Sequence, residues 1–131
     1  MRPVIDEGPF SYHHVNHEQQ SLAPDSFLNW LTRALRVRRT CPEFGDGAFD
    51  LLEVDSPCVL AHRCRNDHGE VIALHNLSGE TVQVSLQIPG GADRMVDLIG
   101  LRQVQQWPER QQQHPFELSP YGYHWLRIYR Y

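Results

Sequence analysis

Cleavage of a glycosidic bond needs two carboxyl groups facing each other across it. Glu53 and Asp55 share one face of an extended stretch, and Asp67 and Glu70 flank a turn. Both pairs read as solvated charges at strand ends, so neither is assigned catalysis. His13, His14 and His17 gather imidazoles near the N-terminus, and His13 and His17 would share a helix face. No carboxylate or cysteine stands beside them at ligand spacing and the segment does not read as helix, so no metal is assigned. Arg33, Arg36, Arg38 and Arg39 offer cations for a phosphate, but they crowd a helix end, where positive charge suits the dipole. Trp107, Tyr121 and Trp125 are the candidate sugar-stacking rings, with Tyr123 and Tyr129 beside them. On a closing strand, however, alternating aromatics more often form a core or an interface. There is no Gly-rich phosphate loop, nucleophile elbow or CxxC pair. These residues describe a non-catalytic domain with no cofactor.

The elements that must position these groups are one helix and a series of strands. Residues 1–22 show no sustained period and are expected to be irregular. A helix is expected over 23–41. Ala23-Pro24-Asp25-Ser26 supplies its start, and Phe27, Leu28, Leu31, Ala34 and Leu35 recur at helical steps as one apolar stripe. Cys41-Pro42 stops it. Strands follow over 49–54, 57–65 (with Cys58, Leu60 and Cys64 on one face), 70–77, 81–88 and 94–99. Pro89-Gly90-Gly91 breaks the run. A Gln-rich polar connection then leads to 116–118 and a closing strand over 121–131. Val71-Ile72-Ala73-Leu74 is apolar on both faces, as in a central, covered strand. Six to eight short strands over 44–131 predict an antiparallel β-sandwich preceded by one amphipathic helix.

The chain has 131 residues, is 40% hydrophobic and 21% charged, and carries a net charge of −4. That is one globular domain, without the basic surplus of a nucleic-acid binder. No apolar run is long enough to span a bilayer, and Met1–Glu7 lacks the apolar core of a signal peptide. Cys41, Cys58 and Cys64 are an odd and sparse set, which suits reduced thiols and a cytoplasmic setting.

Four segments then resemble the trehalose synthase branch of glycoside hydrolase family 13. The first runs from Pro3-Val4-Ile5-Asp6 through His13-His14-Val15-Asn16 and Gln20 to Pro24-Asp25-Ser26-Phe27-Leu28-Asn29-Trp30. The second, Arg38-Arg39-Thr40-Cys41-Pro42-Glu43-Phe44-Gly45-Asp46-Gly47, is similar to that branch's R-R-x-C-P-E-x-G-x-G. Leu74–Ser78 resembles its N-L-S strand. Leu118–Arg127 resembles its closing L-x-P-Y-G-x-x-W-x-R.

The resemblance implies a Greek-key domain C packed against a catalytic TIM barrel, with the 23–41 helix as the last helix of that barrel. In the family, the catalytic Asp, Glu and second Asp lie upstream of the part matched here. Asn16-His17-Glu18 mimics the family's Asn-His-Asp motif but sits in a later segment, so no catalytic residue is carried over. The implied reactions are maltose–trehalose interconversion or hydrolysis and transfer of α-1,4-glucan. The expected partner is the barrel, faced by Phe27, Leu28, Leu31 and Leu35. In its absence the same stripe is expected to cover the sandwich, to pair with another copy, or to stay exposed as an apolar patch that invites association. An α-glucan or disaccharide is the expected ligand if the domain is instead a binding module.

Overall fold

The computed structural model describes residues 4–100 and 104–131, apart from the side chains of Trp107 and Pro108. The chain forms two compact units, one up to Val37 and one from Arg38 onward.

The first unit contains α1 (His17–Leu22) and most of α2 (Phe27–Arg39). The helix α1 corrects the expectation of an irregular 1–22 segment. Asn16 caps it, its side chain accepting from the Gln19 amide, and six residues are too few to display a period. Ser26 marks the start of α2, its hydroxyl accepting from the Asn29 amide at 3.2 Å, so Pro24 and Asp25 belong to the preceding turn. Asn29 fixes the corner between the helices. Its Nδ2 donates to the carbonyls of Gln20, Ser21 and Ala23, while Gln20 Oε1 accepts from the Leu28 amide.

The second unit contains α3 (Glu43–Asp46) and the strands β1 (Ala48–Leu51), β2 (Val59–Asn66), β3 (Gly69–Asn76), β4 (Val82–Asp97), β5 (Val104–Leu118) and β6 (Tyr123–Tyr129). All pairings are antiparallel, in the order β1-β2-β3-β6-β4-β5. The last strand returns between β3 and β4, a non-neighbour pairing of Greek-key character. The sheet folds over into a β-sandwich. Val84, Leu86, Ile88, Phe116 and Leu118 of the β4–β5 arm share one core with Val59, Ala61, Ile72, Leu74, Leu126 and Ile128. A bridge from Val54 to Leu86 and a bond from the Ser85 amide to Asp55 close the fold.

Pro89-Gly90-Gly91 does not break the strand, as expected, but bends it. Register shifts separate Gln87, Ala92 and Arg94, and Gly90 and Gly91 take positive φ of 79° and 68°. Arg130 holds the bend, donating to the carbonyls of Pro89 and Gly91 while pairing with Glu70 at 2.7 Å. The Gln-rich stretch is also no loop. It is β5, an edge strand whose outward positions carry Gln, while His114, Phe116 and Leu118 alternate into the core. Cys58 precedes β2, exposed in a turn, and does not join Leu60 and Cys64 on the strand.

Asn76 organises the far end. Buried, it donates to the carbonyls of Glu80, Leu118 and Ser119 and accepts from Ser78, which joins two turns to one strand end. No helix among the described residues is long and apolar enough to cross a membrane.

Candidate functional site

Strand alternation sends one set of side chains into the core and the other to the outer face of β1-β2-β3-β6. The registers place Leu51, His62, Ala73 and Trp125 in one row across the four strands, and Leu60, His75 and Tyr123 in the next. The face is largely aromatic and imidazole. His62 and His75 stack with ring centroids 6.2 Å apart and planes 2° from parallel, and His75 continues onto Tyr123 at 6.3 Å. Phe49 lies 5.5 Å from His62, and Phe44 of α3 meets Trp125 edge-on at 5.3 Å. These rings surround a hollow of about 300 Å³ whose wall also includes Arg38, Cys64 and Ala73. The same face carries open apolar side chains: Phe49 is 61% exposed, Leu51 67% and Leu60 42%. An exposed contiguous apolar patch marks an interaction surface more often than a lone exposed Leu does.

The chemistry of the face is that of a dry contact. Burial lowers the pKa of His62 below that of a free imidazole. Burial, and then the neighbouring His62, does the same to His75. Burial also pushes the Cys64 thiol up, away from the reactive thiolate. Nothing here offers a nucleophile with an adjacent base.

The helix α3 is fixed to this face by one ion pair. Glu43, 1% exposed, receives both contacts of Arg127 Nη2 at 3.1 Å, and the same nitrogen donates to the Thr40 carbonyl. This joins two of the motifs read from the sequence, R-R-x-C-P-E-x-G-x-G and P-Y-G-x-x-W-x-R. Gly47 belongs to the same joint, since a Cβ there would lie 2.3 Å from the Glu43 carbonyl oxygen.

The residues singled out from sequence fall in several places. Trp125 sits half-buried in the aromatic face. Tyr121 is exposed in the turn after β5, with φ of 53° and its amide bonded to the Ser78 carbonyl. Trp107 lies on β5, its side chain outside the described residues. On α2, Phe27 and Leu35 are exposed, and Leu28 and Leu31 half-buried. Glu53 and Asp67 are exposed, but Glu70 is not the solvated strand-end charge expected: it is buried between Arg130 and Arg63. Among the described residues no group of three or more His, Cys, Asp or Glu is arranged to hold a metal. Sequence reasoning missed Phe44, Phe49, His62 and His75. The signal was present in β3: a strand buried on both faces needs a cover on both.

Comparison with known proteins fits this arrangement. Residues 69–127 match the family model described as the sucrose hydrolase-like C-terminal domain. The chain is 32% identical over 122 residues to a trehalose synthase of Thermus thermophilus, covering 92% of this chain and 12% of that one. It is 31% identical over 134 residues to a trehalose synthase of Pimelobacter sp. (strain R48), covering 96% of this chain and 22% of that one. Among solved structures, an α-amylase from H. orenii superimposes with a TM-score of 0.65 at 22% identity, over 86% of this chain and 22% of the other. The chain thus spans a small share of the relatives it matches. It is similar to the C-terminal domain of sucrose hydrolase-like enzymes and to a part of the trehalose synthases.

Proposed function

We propose that this chain is the non-catalytic C-terminal part of an α-glucan-active or trehalose-forming enzyme, and that its aromatic sheet face docks on the catalytic barrel and stabilises it. The observation that carries the reading is the exposure of Phe49, Leu51 and Leu60 on the sheet face that holds the ring-lined hollow. Such a surface loses free energy to water until a partner covers it. The share of each relative that this chain covers, 12% and 22%, leaves ample length for a barrel in proteins of this kind. The division of the chain at Val37 supports α1 and α2 as elements of the barrel and not of the sandwich. On this reading Phe27, Leu28, Leu31 and Leu35 face barrel elements, and in their absence drive self-association. The parent reaction is then maltose–trehalose interconversion or α-1,4-glucan hydrolysis and transfer. Three free thiols suit a reducing, cytoplasmic setting.

A platform of surface aromatics for sugar is the competing reading. Only Tyr121 of its three rings is exposed among the described side chains, and Trp125 is half-covered by Phe44. Assay of the purified chain on maltose, trehalose and starch separates these roles from an independent enzyme. The expected result is no turnover; measurable glucose or trehalose release would overturn the proposal.

A further inference from the structure

The middle of the aromatic face is made of groups that can change charge. Phe49, His62, His75 and Tyr123 form one row of rings, one from each of β1, β2, β3 and β6. Phe49 lies 5.5 Å from His62. His62 lies 6.2 Å from His75 with the planes 2° from parallel, and His75 lies 6.3 Å from Tyr123. The two imidazoles therefore hold the centre of the row, and the two carbocyclic rings its ends. A face that had only to be apolar would not need imidazole at its centre. Imidazole is the side chain whose ordinary titration lies near neutral pH.

The surroundings decide which charge state the row accepts. Phe44 of α3, Phe49 of β1, Ala73 of β3 and Trp125 of β6 bring no charge to the hollow. Cys64 of β2 brings a thiol that burial holds protonated, and Tyr123 of β6 a phenol. Arg38 brings a cation. The carboxylates of the packed elements are engaged elsewhere: Glu43 of α3 pairs with Arg127, and Asp50 of β1 with Arg63. Neither His62 nor His75 is paired with a carboxylate among the described residues. Burial lowers the pKa of both, and His62 lowers that of His75 further. An imidazolium at either position would stand against a second imidazole and share the hollow with Arg38, without a counter-charge. Water can still solvate it while the face is open. A partner that covers the face removes that water.

We propose that the His62–His75 pair is a proton-operated release for the docked barrel: with both rings neutral the face holds its partner, and proton uptake by the pair, which a dry interface does not accommodate, separates the two. This rests on the docking reading and adds a regulator to it. The sign follows from linkage. The complex keeps both rings neutral, whereas the free chain takes up protons as pH falls below 6.5, the ordinary imidazole value. Protonation therefore favours the free chain, and Kd rises on acidification. A group half-protonated in the free chain doubles Kd, so two such groups raise it about fourfold.

Calorimetric titration of this chain into a trehalose synthase barrel that lacks its own C-terminal domain tests the proposal, at a temperature where circular dichroism shows both proteins folded. The expected result is a complex at about pH 7.5 that is weaker by about fourfold or more at about pH 5.5. The double variant His62→Gln, His75→Gln is read by the ratio of its own two constants, whatever their size, and that ratio is expected near one. Histidine-resolved NMR of the free chain supplies a second reading: both rings titrate below the ordinary 6.5, the second proton displaced to lower pH by the first. Equal or tighter binding at the lower pH, an undiminished ratio in the variant, or two independent titrations at the ordinary value would each overturn the release and leave docking standing. No complex at either pH would overturn both.

Discussion

His62, His75 and His114 are held neutral in the fold, each with its pKa lowered mainly by burial from the ordinary 6.5. The unfolded chain binds protons at these groups as pH falls through 6.5, and the folded chain does not until lower pH. Stability from them is therefore full above that value and is lost on acidification towards the lowered folded pKa. The melting temperature should fall between about pH 7.5 and about pH 5.5. Replacing His62 and His75 by Gln should flatten that dependence, and equal slopes in both proteins would contradict the account. Asp97, with its pKa depressed, adds a separate loss at lower pH, below the ordinary carboxylate value of 3.8. Glu43 is the residue whose charge matters most to the joint beneath α3. Glu43→Ala leaves Arg127 without its counter-charge and should cost about 3 kcal/mol in urea unfolding. The sequence displayed Glu43 within a recognisable motif, but its partner lies 84 residues away, so the pairing could not be read from local pattern.

Elements with a clean period were legible. Val82, Val84, Leu86 and Ile88 alternate as written, and the doubly apolar run in β3 is the central strand between β2 and β6. Elements whose shape depends on distant partners were not. The Gln-rich stretch carries no apolar alternation over its first half, yet β4 recruits it as an edge strand because backbone pairing needs no apolar side chain there. The bend in β4 was visible as Pro-Gly-Gly, but whether it ends or curves a strand depends on Arg130, which satisfies the carbonyls it frees. Two substitutions test these elements. Gly91→Ala places a Cβ 2.7 Å from Arg110 Cγ and 2.8 Å from the Gln111 carbonyl oxygen, at positive φ. It should destabilise by about 1–3 kcal/mol. Asn76→Ala removes the donor that ties Glu80 and Ser119 to β3. Leaving a buried carbonyl unpaired should cost about 2 kcal/mol, with faster amide hydrogen exchange at both turns.

The whole molecule combines a self-sufficient sandwich core with an outer face that is finished on only part of its area. Motifs made the resemblance legible because they are turn-formers and ion-pair residues with fixed local jobs: Asn76 at a strand end, Gly47 under Glu43, Tyr121 in a left-handed turn. The docking face was not legible, because Phe44, Phe49, His62, His75, Tyr123 and Trp125 come from five elements and only the sheet register brings them together. Charged substitutions on its rim should leave the core intact while removing any association. Phe49→Asp with Leu60→Asp is accordingly expected to shift the melting temperature of the isolated chain little, since both side chains are exposed. The most direct test of the account is sedimentation velocity of this chain mixed with a trehalose synthase barrel that lacks its own C-terminal domain. The account predicts a one-to-one complex that disappears with Phe49→Asp, Leu60→Asp. Independent sedimentation of the unaltered chain and barrel, or equal binding by the variant, would contradict it.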